Sequence, residues 1–243
     1  VGKTVGDSKE LWYNRTFTVP ADWKNDDVLL NFGAVDWKCD VWVNGVKVGS
    51  HTGGFTPFSM NITQALNRKG KNELSVRVWD PTDRGTQPRG KQVTKPHGIW
   101  YTPVTGIWQT VWMEPVPATH ISALRTLPDI DANTLTVDVL DNAASADGMM
   151  AEVVVKKDGK TVASGRSING NPVEVEMPAD VALWSPSSPN LYDLDVTLYK
   201  NGKPVDQVRS YAAMRKFSTR RDDSGIVRLQ LNNEDLFQFG PLD

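Results

Sequence analysis

Between Asp80 and Pro103 the chain gathers the side chains best suited to holding a polar ligand. Asp80, Asp83, Arg84, Gln87, Arg89 and Lys91 can all hydrogen-bond to hydroxyls or carboxylates, most of them with charge assistance. His97 can reach the same ligand or simply be solvated. Trp100 and Tyr101 offer flat apolar faces of the kind that stack on a pyranose ring. The segment is also full of glycine and proline, and a structureless stretch this long inside a compact domain is usually functional or disordered. The aromatic pair at its end favours an ordered, functional loop.

Other candidate chemistry reads as structure. Glu174 with Glu176, and Asp193 with Asp195, have the i, i+2 spacing that puts two acids on one strand face, near the separation of about 5–5.5 Å that a retaining glycoside hydrolysis needs. Each pair alternates with apolar neighbours, Val173 and Val175 or Leu194 and Val196, as the polar side of a half-buried strand does. No nearby loop would complete a pocket around either pair. His51, His97 and His120 lack metal-ligand spacing, so no metal is expected, and no cofactor. Cys39 has no intrachain partner and alternates with Val41 and Val43, so it reads as a small buried hydrophobe. Gly53-Gly54 reads as a turn that needs backbone freedom. No nucleophilic-serine motif and no phosphate-binding glycine loop is present, and no catalytic residue is assigned.

The elements that must carry these residues are strands. Apolar residues recur with period two in Cys39–Val43, Leu74–Val78 and Leu135–Val139. Asn44-Gly45, Asp158-Gly159 and Asn201-Gly202 each separate two alternating runs, which predicts hairpins with type I′ turns. Val227, Leu229 and Leu231 share one strand face before a turn at Asn232-Asn233. The only helical candidate is a short turn at Ile62–Asn67. Many short strands between turns predict an all-β protein built of sandwiches. The break between two of them is placed at Glu114-Pro115-Val116-Pro117, where prolines follow a strand taken to have just ended. Nine tryptophans are many for 243 residues; core or interdomain packing is the expectation for Trp42 and Trp79, with sugar stacking as the alternative.

Composition narrows the partners. Net charge is −2, from 27 basic and 29 acidic residues, so the basic excess of a nucleic-acid binder is missing. No apolar run approaches the roughly 18 residues of a membrane span, and no membrane partner is expected. The Val1–Glu10 stretch is polar and does not read as a signal peptide. A soluble protein of the bacterial periplasm or cytoplasm fits.

Several stretches together resemble glycoside hydrolase family 2, the β-galactosidase and β-glucuronidase group. Leu11-Trp12-Tyr13-Asn14-Arg15-Thr16-Phe17 resembles the opening strand of the family's sugar-binding domain. Asn31–Trp37, Val41–Gly45 and His51–Phe58 resemble its most specific stretch, and Gly106–Glu114 its last strand. Leu183–Pro186 with Pro189–Tyr192 resembles the family's immunoglobulin-like domain. Met214-Arg215-Lys216 matches a following motif, although Ala213 stands where glycine is usual. Leu236–Asp243 resembles the lead-in to the catalytic barrel.

The resemblance implies a jelly-roll-like, galactose-binding-type β-sandwich over residues 1–116, an immunoglobulin-like β-sandwich over 117–228, and the start of a (β/α)₈ barrel over 229–243. It implies a parent enzyme that cleaves terminal β-glycosides by a retaining mechanism with two barrel glutamates, which this chain does not carry. Asn233-Glu234 has the letters of the family's acid/base motif but reads as a solvated hairpin tip. By the same resemblance Asp83, Arg84, Gln87, Arg89, Lys91, His97, Trp100 and Tyr101 are assigned to substrate binding, in a loop that reaches over the barrel mouth; the alternative is that the loop only docks on the barrel. The expected partners are a β-linked carbohydrate, through the parent enzyme, and the barrel itself. The chain alone is expected to be inactive. A free-standing carbohydrate-binding module is the second reading, and an adhesive or structural protein of immunoglobulin-like domains the third.

Overall fold

The structure, a computed structural model, describes residues 5, 6 and 8–240. The chain forms two compact units, divided between Ala118 and Thr119. Among the described residues the only helical segments are single 3₁₀ turns at Ala21–Trp23 and Thr63–Ala65, the second within the expected helical candidate. The rest of the regular structure is strand, as the period-two patterning requires.

The first unit contains β1 (Leu11–Phe17), β2 (Asp27–Phe32), β3 (Val35–Asp36), β4 (Lys38–Val43), β5 (Val46–Thr52), β6 (Phe58–Asn61), β7 (Asn72–Trp79), β8 (Gly106–Ile107) and β9 (Val111–Val116). Antiparallel pairing gives a four-stranded sheet, β1-β7-β4-β5, and a three-stranded sheet, β6-β2-β9, with the short pair β3-β8. Cys39, Val41, Val43, Val76 and Val78 from the first sheet meet Val28, Leu30 and Phe32 from the second in one apolar core. Cys39 is buried as expected, and burial pushes its thiol up to about 11.

One expectation changes here. Pro115 does not end a strand: β9 runs through it to Val116, opposite Val28 of β2. The proline is tolerated because β9 is the edge of its sheet, where a missing N–H breaks no ladder. Trp42 does not enter the core. Its neighbours Val41 and Val43 point inward, so Trp42 points outward and stacks on the half-exposed Trp12 at 5.5 Å between centroids. Asp40, on the same outer face, is paired with both Lys47 and Arg77. Between β1 and β9 lies an apolar slot of about 860 Å³, lined in part by Tyr13, Phe17, Phe32, Val76 and Met113.

The second unit contains β10 (Ile121–Asp129), β11 (Thr134–Asp141), β12 (Met149–Lys157), β13 (Lys160–Ile168), β14 (Val173–Glu176), β15 (Trp184–Ser185), β16 (Ser188–Pro189), β17 (Tyr192–Lys200), β18 (Lys203–Ala212), β19 (Phe217–Arg221), β20 (Val227–Leu231) and β21 (Glu234–Asp235). Two sheets, β10-β11-β14 and β13-β12-β17-β18, enclose a core of Leu135, Val137, Val153, Val155, Val173, Val175, Leu194 and Val196. This three-plus-four arrangement is that of an immunoglobulin-like sandwich. Tyr192, buried at the start of β17, accepts a hydrogen bond at 2.7 Å from the Ala182 N–H, pinning the chain that leads into the strand.

β19, β20 and β21 form a separate small sheet. β20 runs unbroken across the boundary expected at 228/229. Asn232 and Asn233 both have positive φ, as the tip of a two-residue turn requires. The hairpin is tied to the preceding chain through Asp131, which pairs with Lys216 and accepts from Asn233 Nδ2 at 2.8 Å, and through Asn232 Nδ2, which donates to the Trp184 carbonyl at 2.9 Å. Pro241, Leu242 and Asp243, part of the expected barrel lead-in, lie outside the described residues.

Candidate functional site

The loop from Asp80 to Thr105 is ordered by its own polar groups. Asp80 is buried at its root and clamps both ends: Oδ1 accepts the Thr82 N–H at 2.8 Å, and Oδ2 accepts the Thr105 hydroxyl at 2.7 Å. Thr82 and Gly85 have φ of +56° and +121°, which the tight turn between them demands. Gln87 Nε2 donates to the Thr82 carbonyl at 2.9 Å, and Arg89 Nη1 to the Asp83 carbonyl at 2.9 Å. Further along, Tyr101 N–H donates to the Lys91 carbonyl at 2.7 Å and Gln92 Oε1 accepts the Val104 N–H at 2.6 Å, so the outgoing chain lies against the incoming one.

Beneath the root sits a second acid. Asp36 is buried, and its carboxyl is pushed up to about 6, first by burial and then by the charge of Asp80, while a hydrogen bond from Gln92 pulls the other way. Gly54 packs so closely that a Cβ there would lie 2.5 Å from Asp36 Oδ1. Trp108 Nε1 donates to the Gly54 carbonyl at 2.7 Å, which fixes that turn. His51 stacks on Phe58 at 4.0 Å, its Nε2 lying 3.2 Å from the Gly53 carbonyl, a structural role.

The folded loop encloses a cleft of about 560 Å³. Of the residues assigned from sequence, Asp83, Arg84, Arg89, His97 and Trp100 line it. Gln87, Lys91 and Tyr101 do not. Gln87 buttresses the turn at Thr82, and Lys91 lies over the Tyr101 ring at 5.8 Å. Sequence reading missed Val93, Thr94 and Lys95, which complete the lining; a cation at position 95, two residues from His97, was the available signal. Asp83 accepts both the hydroxyl and the N–H of Thr94, and these bonds, with Arg89 nearby, hold its carboxyl below the usual carboxylate range.

The alternative acids stand apart from this cleft. Glu174 and Glu176 are exposed along β14. Asp195 is taken up by Lys156 and Arg209 on the outer face of its sheet, with Asp193 exposed beside it. Among the described residues no group of three or more His, Cys, Asp or Glu side chains could hold a metal ion.

Comparison with known proteins decides the family. Residues 3–108 match the domain described as "Glycosyl hydrolase 2 galactose-binding domain-like", and residues 119–215 match "Glycosyl hydrolases family 2". The chain belongs to glycoside hydrolase family 2. The second of these segments begins where the two compact units divide, at Thr119. Among curated relatives, a putative beta-glucuronidase of Formosa agariphila is 29% identical over 213 residues, 85% of this chain and 25% of the relative. A beta-glucuronidase of Paenibacillus borealis is 28% identical over 219 residues, 85% of this chain and 36% of the relative. A beta-galactosidase of Thermoanaerobacter pseudethanolicus is 26% identical over 235 residues, 93% of this chain and 30% of the relative. The chain therefore spans about a quarter to a third of the length of the curated relatives it matches. The b-glucuronidase from Ruminococcus gnavus in complex with uronic isofagomine shares the fold, with a TM-score of 0.76 at 20% identity over 95% of this chain and 39% of that one.

Proposed function

We propose that this chain is the non-catalytic N-terminal part of a retaining β-glycosidase that hydrolyses terminal β-glycosides such as β-galactosides or β-glucuronides. Its first sandwich frames the substrate pocket with the loop at 80–105, and its second braces the catalytic barrel. The observation that carries this reading is the loop cleft: Arg84, Arg89, His97 and Trp100 converge on one cavity while Asp80 holds both ends of the loop to the sandwich. The chemistry itself, attack by one glutamate and proton transfer by another, would belong to the barrel.

Exposed apolar residues favour an enzyme part over a free-standing carbohydrate-binding module. Phe217, Val227 and Leu229 lie on one face of the β19–β20 hairpin, and Phe237 and Phe239 beyond it are 89% and 97% exposed. A free-standing module would gain nothing from such a surface, whereas a domain that supports a neighbour would bury it. The test has two arms. The chain alone should not release nitrophenol from nitrophenyl β-galactoside or β-glucuronide; turnover would end the claim that it is non-catalytic. In the barrel-bearing enzyme, Trp100→Ala should raise KM or lower kcat by about tenfold or more. Unchanged kinetics would leave the loop no part in the substrate pocket.

A further inference from the structure

The side chains around the loop cleft differ from those a neutral sugar would select. A neutral pyranose presents hydroxyls, which donate as well as accept, so its sites commonly carry acceptors with open lone pairs. Here the lining holds a single carboxylate, Asp83, and it is already partly engaged. Both Asp83 oxygens are engaged by Thr94, one by its hydroxyl and one by its N–H at 3.0 Å. The remaining polar lining is dominated by donors: Arg84, Arg89 and Lys95 have no acceptor atom at all. Trp100, half-buried in the same wall, supplies a flat apolar face. The chain as a whole is slightly acidic, at −2, so this concentration of cations is a property of the cleft and not of the molecule.

We propose that the loop cleft is a subsite for an acidic sugar, a pyranose that lies against Trp100 and directs a carboxylate or sulfate group toward Arg84, Arg89 and Lys95. A planar carboxylate or a sulfate takes several N–H donors at once, as guanidinium groups offer them. The ring face accounts for Trp100, which a free inorganic anion would leave unused. The proposal rests on the reading of the loop as a substrate-framing element and adds the charge class of the sugar. Arg84 and Lys95 are exposed, so the attraction weakens with salt.

The test uses the full 243-residue chain, with ligand binding followed by two-dimensional NMR. The probes are methyl β-D-glucuronide, methyl β-D-galactoside and its 6-sulfate. The expected result is that at least one acidic probe shifts the Trp100 indole and the loop amides and binds about tenfold more tightly than the neutral probe. That preference should shrink as salt rises from about 20 to 300 mM. Lys95→Met and Arg84→Met should reduce it, and Lys95→Arg should retain it. Arg89 is left intact because it also holds the Asp83 carbonyl. Whichever acidic probe binds identifies the anion, carboxylate or sulfate. Equal binding of acidic and neutral probes overturns the charge assignment and leaves the framing role standing. Absence of binding by all three overturns the subsite, and the framing role is then judged by the Trp100→Ala kinetics of the longer enzyme.

Discussion

Asp36 keeps its proton to about pH 6 in the folded chain because it is buried beside a second carboxylate, Asp80. In the unfolded chain it would release that proton near 3.8. The native state thus binds the proton more tightly, and the stability this group contributes is fully present below about pH 4 and is lost as pH rises toward 6. The loss amounts to roughly 2–3 kcal/mol. Asp36→Asn, uncharged at every pH, should escape it: relative to the natural chain the variant gains about that much between pH 4 and pH 7. Acids whose folded carboxyls are held low, such as Asp40 and Asp195, move stability the opposite way. They are common to both proteins and cancel in the comparison. Urea unfolding at several pH values measures it, and parallel curves for the two proteins would show that Asp36 carries no such penalty. Because Asp36 lies at the root of the loop, its protonation is coupled to how firmly the loop is held.

Three hairpins share one construction. Asn44-Gly45, Asp158-Gly159 and Asn201-Gly202 all have positive φ at both positions, the type I′ turn that suits twisted strands. In each the ladder skips one residue on the second strand just after the turn, so Val48, Val162 and Val205 are left as bulges. A bulge is the one place in a strand where the residue count can change without turning the rest of the strand over. In β13, deleting Val162 leaves Ala163 opposite Val155 and Gly165 opposite Val153, so only the apolar cover of Val162 is lost, about 1–2 kcal/mol. Gly165→Ala instead puts a Cβ 2.6 Å from the Glu174 carbonyl oxygen, so the backbone must shift to take it. We expect the Val162 deletion to unfold cooperatively in urea at a modestly lower midpoint and Gly165→Ala at a lower one still. A Val162 deletion that failed to fold would contradict the register.

Across the whole molecule, the C-terminal hairpin and tail gather a run of exposed large apolar side chains, Phe217, Val227, Leu229, Phe237 and Phe239. Val227, Leu229 and Phe237 are exposed, so replacing them with serine removes little packing. Stability should change by about 0.5 kcal/mol or less per site, while self-association of the isolated chain, followed by sedimentation, should fall. On the proposed bracing role, the same triple variant should lower the thermal stability of the barrel-bearing enzyme, because the barrel would cover the surface there. A variant that behaves identically in the two contexts would remove the support for a bracing role.

Much of this was legible in the residues themselves. Alternation placed Cys39, Val41 and Val43 on the core side of β4, and each Asn-Gly or Asp-Gly pair marked a hairpin, because face and turn are set by backbone preferences a few residues long. Density of glycine, charge and aromatic side chains singled out the loop as a ligand-binding candidate. Other features depended on which strands became neighbours. Pro115 sits within a strand only because β9 is an edge. Trp42 meets Trp12 only because β1 and β4 flank β7. Asp36 is perturbed because the fold buries it and then sets it beside Asp80, and Lys95 and Thr94 join the cleft through the loop's return path while Lys91 and Tyr101 turn away. Local sequence determined the strands, the turns and the family of the chain; tertiary pairing decided which polar groups share a low-dielectric space, since that depends on contacts between residues far apart along the chain.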